Sequence, residues 1–207
     1  MGKMPNDKDY VVVGSNPNEM VSLGFKQVGS DFPVFLHPET GDEYALARTE
    51  RKSGTGYKGF QCDWNGVTLE EDLSRRDLTI NAIAWDCSRS LGKVHDPFNG
   101  IQDIKDKILR PVSEAFQDDP LRCLRAARFM AQFPDFSEDK EGYLFKYCEG
   151  LEYELCNTLT PERVWLETVK AMKTTQPSKY FLWLSQFGLF PEYTALTHCP
   201  QRVDHHP

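Results

Sequence analysis

The 207-residue chain lacks any apolar run of membrane-spanning length, any signal-peptide pattern at its start, any internal repeat and any low-complexity tract. Those absences set aside membrane-spanning, secreted and solenoid readings, and no membrane partner is expected. An excess of positive charge is missing too: 24 Lys and Arg face 31 Asp and Glu, for a formal charge of −7. Such a balance excludes coating nucleic acid by bulk attraction but leaves room for a local basic groove, because phosphate contacts need only a few cations on one face. Six cysteines (Cys62, Cys87, Cys123, Cys148, Cys156 and Cys199) include no C-x-x-C pair. In a chain of this length they read as reduced, mostly buried thiols of a cytosolic, cytoplasmic protein. What is present is ordinary: 40% hydrophobic and 27% charged residues, enough to bury a core in one large or two small domains.

The pattern changes character near residue 110. Before it come short β-type runs, "DYVVVG", "FKQVG", "FPVFLHP", "DEYALAR" and "AIAWD", punctuated by Gly, Pro and Asp turns. After it the spacing is helical. "DDPLRCLRAARFMAQF" opens on acidic residues and a proline and runs without a breaker to Phe133. In "LTPERVWLETVKAMK", Thr160 suits an N-cap, Pro161 the first helical position, and Leu159 with Val164 a hydrophobic staple. "PSKYFLWLSQFG" predicts a third helix stopped by Gly188. The expected class is α+β: a mixed sheet with helices over residues 1–110, then an all-helical part over 111–207, joined around 111–118.

Four segments carry candidate chemistry. In "NDKDYVVVG", Asp7 and Asp9 are two residues apart, so a strand projects both carboxylates from one face. Oxygen donors of that kind suit Mg²⁺, and a plain polar turn is the competing interpretation. "RTERKSGTGYKGF" carries cations and glycines that can approach phosphates, or it is a surface hairpin. In "EEDLSRRDLTINAIA", arginine forks suit phosphate oxygens and Asp77 can orient them; intrahelical ion pairs are the alternative. In "DDPLRCLRAARF", Arg122, Arg125 and Phe129 share a helical face, with Arg128 further round. Such a helix can be merely amphipathic. Yet Asp119 only accepts and Arg122 only donates hydrogen bonds, which matches the amino donor beside ring acceptors of cytosine and adenine. Guanine and uracil would present a carbonyl to Asp119. The terminal "VDHHP" has no partner ligands at metal-site spacing and reads as a frayed end.

Taken in order, "KDYVVVG", "FPVFLHPETGDEYALARTERKSGTGY", "RRDLTINA", "DPFNG", "DDPLRCLRAARF" and "TPERVWLE" resemble the class II tRNA nucleotidyltransferases, the CCA-adding enzymes, of bacterial type. The resemblance runs from about Asn6 to about Pro191. It implies a nucleotidyltransferase head followed by a helical neck, acting on the tRNA 3′ end with CTP, ATP and Mg²⁺. By the same resemblance Asp7 and Asp9 are metal ligands and Glu43 is a third catalytic acid. Arg76, Asp119, Arg122, Arg125 and Arg128 contact the nucleotide, Asp119 and Arg122 by reading its base. The tRNA hydroxyl attacks the α-phosphate and pyrophosphate leaves. Bacterial poly(A) polymerases share the framework and stand as the alternative; a non-catalytic RNA-binding remnant is another.

Three departures from the family pattern shape the expectation. Asp118 stands where the family has Glu, one methylene shorter. The Gly-Gly-x-x-Arg-Asp segment that would precede Asp7 and hold the triphosphate is not in "MGKMPN", so the first strand of the sheet is expected to be missing. The chain stops at Pro207, where family members continue into tRNA-gripping regions. A chain truncated at both ends is expected to act weakly or not at all by itself.

Overall fold

The computed structural model describes residues 8–29, 33–52, 60–88 and 92–188. Two compact units emerge, one formed by Met1–Lys105 with Pro111–Asp118, the other by Asp106–Arg110 with Asp119–Pro207.

The first unit is built on a four-stranded sheet in the order β1-β4-β3-β2. Its strands are β1 (Asp9–Val12), β2 (Lys26–Val28), β3 (Val34–Leu36) and β4 (Glu43–Leu46). β1 runs parallel to β4, while β3 is antiparallel to both β4 and β2. Parallel neighbours need a crossover. Here it includes a short helix, α1 (Pro17–Ser22), which "SNPNE" starts locally: the Asn16 side chain accepts the Glu19 amide and Pro17 occupies the first turn. Gly24, at φ +89°, follows the helix end. Met20 from α1 packs with Phe35 and Leu46 in the core, flanked by Val12, Phe25, Tyr44 and Trp64. On the same face the Tyr10 and Tyr44 rings stack at 4.4 Å.

After β4 the chain forms an antiparallel hairpin, β5 (Thr49–Lys52) with β6 (Phe60–Asp63). Helix α2 (Leu69–Ser74) follows, then a 3₁₀ turn at Thr79–Asn81, a second hairpin of β7 (Ala84–Asp86) and β8 (Lys93–His95), and helix α3 (Gly100–Asp106). The "DPFNG" segment is a brace. Asp96 accepts the amides of Gly100 and Ile101 at the start of α3, and buried Asp103 accepts the Thr79 hydroxyl at 2.7 Å. Residues 111–118 return to the same place: Pro111 bridges Leu78, and Val112 donates to the Asp77 carbonyl.

Among the described residues, the second unit is helical apart from one parallel pairing, β9 (Ile108–Leu109) with β10 (Ser137–Glu138). Helix α4 (Leu121–Gln132) packs against α7 (Pro161–Met172) and α8 (Ser178–Ser185). Small buried residues on α4 (Cys123, Ala126, Ala127 and Ala131) let those helices sit close. Two shorter helices, α5 (Tyr143–Glu149) and α6 (Glu152–Asn157), lie between them in sequence. Thr160 stands at the N-cap of α7 with Pro161 next, as expected, but its side chain makes no capping hydrogen bond. Gly188, at φ +67°, follows α8. Buried Tyr180 shares a hydrogen bond with Thr168, and burial pushes its phenol up to about 12.

No helix among the described residues is long and apolar enough to cross a membrane. Cys123 and Cys148 are buried, Cys62 is half-buried and Cys87 exposed. The "VDHHP" tail and the tip of the basic hairpin lie outside the described residues.

Candidate active site

Register brings the first carboxylates together. Asp9 at the start of β1 pairs in parallel register with Glu43 at the start of β4, and both are exposed. Directly paired residues project to the same face of a sheet, so the two carboxylates stand side by side on adjacent strands. That face is opposite the one that packs Val12, Tyr44 and Leu46 into the core. The same row continues through Leu36 to Lys26 on the edge strand, a cation that the sequence motifs do not single out. Asp7 lies outside the described residues. Among those described, no group of three or more acidic, His or Cys side chains could hold a metal. The donor chemistry of the Asp9–Glu43 pair still fits a hard cation, since both groups offer only oxygen.

Arg76 follows α2, whose start is set by a capping box. The Thr68 hydroxyl accepts the Glu71 amide, and Glu71 accepts the Thr68 amide at 2.8 Å. The Thr68 amide first, then the Thr68 hydroxyl, which donates to the same carboxylate oxygen, hold the Glu71 carboxyl below its usual range. On the inner side of α2, fully buried Asp72 accepts from both Arg75 and Arg76 and from the Arg48 amide. Arg75 also donates to Glu50 at 2.9 Å and to the Arg48 carbonyl, while Arg48 donates to the same Glu50 oxygen. Asp72 therefore holds the arginine forks. One oxygen of Asp77, which the sequence allowed as an orienting group, receives the Leu78 amide and the Asn81 side chain. The i, i+3 and i, i+4 spacing of Asp72 to Arg75 and Arg76 was the available signal.

Arg76 itself is held more loosely than Arg75. Its two hydrogen bonds are long, 3.3 Å to Asp72 and 3.4 Å to the Asn81 carbonyl, and its buried Nε has no partner. With 38% of its side chain exposed, it keeps donor capacity that Arg75 has spent.

In the second unit, α4 is buried along most of its length. Leu121, Arg122, Arg125 and Arg128 are the half-buried positions within it. Phe129, on the helical face of Arg122 and Arg125, is buried, with the Arg128 guanidinium 4.3 Å from its ring centroid. Arg128 also donates through Nε to nearly buried Glu167 at 2.7 Å and through Nη1 to Gln132. Burial pushes the Glu167 carboxyl up, but hydrogen bonds from Arg128 and Lys170 outweigh it and hold the group below its usual range. Asp119 precedes the helix. Its Oδ1 accepts the Leu121 amide at 3.1 Å and its Oδ2 accepts from Arg163 at 2.8 Å. Arg163 and Glu167 went unnoticed in the sequence because their partners lie 44 and 39 residues away.

Known proteins resemble this chain over most of its length. The multifunctional CCA protein of Shewanella denitrificans is 54% identical over 214 residues, covering 100% of this chain and 51% of that protein. Among solved structures, a Bacillus stearothermophilus CCA-adding enzyme in complex with CTP is 29% identical, with a TM-score of 0.61 over 79% of this chain and 39% of its own. A Thermotoga maritima CCA-adding enzyme complexed with tRNA is 27% identical, with a TM-score of 0.67 over 93% of this chain and 44% of its own. The chain thus spans about half the length of the curated relatives that it matches. Residues 1–110, the stretch that carries Asp9, Glu43 and Arg76, match the family model of the poly A polymerase head domain, and the chain belongs to that family.

Proposed function

We propose that the chain is a template-independent nucleotidyltransferase that adds C and A from CTP and ATP to the 3′ end of tRNA in the cytoplasm. The observation that carries this reading is the register pairing of Asp9 with Glu43 on the face of the sheet turned away from the core. Together with Asp7 they are the residues that would hold Mg²⁺. When bound, the ion supplies positive charge that favours deprotonation of the attacking hydroxyl and neutralises the leaving pyrophosphate. In the transfer, the tRNA 3′ oxygen bonds to the α-phosphorus, the bond from that phosphorus to the bridging oxygen breaks, and the hydroxyl proton is released. Arg76, with 38% of its side chain exposed, donates to the nucleotide phosphates.

Base choice falls to the start of α4. Each Asp119 oxygen already accepts one hydrogen bond and has acceptor capacity for another. It takes the amino group of cytosine or adenine, while Arg122 donates to the neighbouring ring acceptors and Arg125 contacts the nucleotide. Arg128, paired with Glu167, contributes mainly by fixing the helix. The CTP and tRNA complexes of the similar CCA-adding enzymes support this reading.

The test is nucleotide addition by the purified chain to tRNA lacking CCA and to tRNA lacking only its last adenosine, beside a generic RNA primer. Addition of C and A confined to tRNA is the expected result. Long A-tails on the generic primer without C incorporation would favour a poly(A) polymerase, the reading supported by the head-domain match over residues 1–110. Binding of tRNA without any transfer would leave a non-catalytic RNA-binding role.

A further inference from the structure

We propose that Arg163 is a positioning residue for base selection, acting through Asp119; the inference rests on the function proposed above. Arg163 lies in the first turn of α7, in the segment "TPERV", and donates through Nη2 to Oδ2 of Asp119 at 2.8 Å. Both side chains are about one-fifth exposed, 21% and 18%, so solvent screens this pair less than it screens a surface ion pair. The opposite oxygen of Asp119 is held by the Leu121 amide at 3.1 Å. A carboxylate gripped at one oxygen by a backbone amide and at the other by a guanidinium cannot rotate freely about its terminal torsion. Each oxygen keeps one acceptor direction, and those directions are fixed in space.

That fixing matters because Asp119 selects by geometry as well as by sign. A rotating carboxylate can turn an oxygen away from the carbonyl of uracil or guanine and relieve the repulsion that rejects it. A pinned one cannot. Selectivity of the kind that leaves a buried polar group unpaired against the wrong partner needs that group to stay in place. Arg163 touches neither the reacting atoms nor a base in this account; its effect passes through Asp119 alone.

Single-nucleotide addition measured for the wild-type chain, Arg163→Met, Arg163→Lys and Arg163→Met combined with Asp119→Ala separates the outcomes. Arg163→Met is expected to raise KM for CTP more than it lowers kcat, and to cut the preference for CTP over UTP by about tenfold. Arg163→Lys keeps the charge without the planar fork, and restores part of that preference. In the Asp119→Ala background, Arg163→Met should change the preference no further. Thermal melting of each variant identifies one that fails to fold, and Arg163→Lys then carries the test. A preference unchanged in a folded Arg163→Lys or Arg163→Met, or a further loss in the double variant, overturns the inference. A wild-type chain that shows no preference for C and A over U and G would overturn the proposed function itself, a result distinguishable because it needs no variant.

Discussion

Asp9 and Glu167 show two opposite uses of a carboxylate. Asp9 is exposed and in register with Glu43, so its removal takes away charge where the proposed chemistry would need it but unpacks nothing. Asp9→Asn is expected to lower nucleotide addition by at least about 100-fold while shifting stability by no more than about 0.5 kcal/mol. Equal losses of activity and melting temperature would refute the assignment. Glu167 is nearly buried and held by Arg128 and Lys170. Its carboxyl is depressed below the ordinary 4.5, so the stability it contributes is present above pH 4.5 and lost as pH falls through the lower folded value. Glu167→Gln is expected to cost about 3 kcal/mol at pH 7, by leaving the Arg128 guanidinium without its opposite charge. The melting-temperature gap between wild type and this variant should close as pH drops from 5 to roughly 3; a gap constant across that range would count against the pairing. At this scale the sequence was legible where partners are local and opaque where they are not. Asp9 stood out by its spacing before a β-branched run, and Asp72 could have been found by its distance from Arg75 and Arg76. Nothing local marks Arg163 or Glu167, because a contact spanning some 40 residues exists only once α4 and α7 have packed.

Elements in the first unit are fixed by local punctuation and then locked by two long-range devices. Asn16 and Pro17 start α1, and Thr68 with Glu71 starts α2; both follow from residue type and spacing alone. The strands "DYVV", "KQV", "VFL" and "EYAL" fall inside the runs that their β-branched and aromatic content marks. What the spacing does not give is the sheet order, since β1 pairs with β4 although two strands lie between them in sequence. The α3 brace is the other long-range device. A Cβ added at Gly100 would lie 2.2 Å from the Thr79 carbonyl oxygen, a backbone atom that the surrounding hydrogen bonds hold. Gly100→Ala is therefore expected to destabilise the first unit by about 1–3 kcal/mol, a fall of roughly 5–15 °C in melting temperature. Gly150→Ala makes the control, because nothing lies within 4 Å of its added Cβ and its φ is −83°. That change should be neutral or slightly stabilising. If Gly100→Ala melted with Gly150→Ala, the close approach of α3 to the "DLTIN" turn would be wrong.

At the scale of the whole molecule, charge sets how a protein of net charge −7 can engage a polyanion. Bulk attraction is unavailable, so the tRNA binding proposed above would rest on a few local cations, and its salt dependence would report their number. The hairpin segment "RTERKSGTGYK" holds Arg48, Arg51, Lys52 and Lys58 on one stretch of chain. The Arg48 side chain is committed to Glu50 in the described structure. Three to four phosphate contacts would lower tRNA affinity by about 100-fold between 50 and 200 mM salt, a log–log slope near −3. Arg51→Ala should weaken binding to tRNAs of different sequence alike and make that slope shallower by about one. Filter binding across a salt series measures both. A slope near zero would mean that base stacking and hydrogen bonds carry recognition without phosphates. A slope near −10 would demand far more cationic contacts than this stretch contains, and would place the main tRNA contact elsewhere on the chain. Between those limits the slope counts the contacts directly, which the sequence composition, averaging acid and base over the whole chain, conceals.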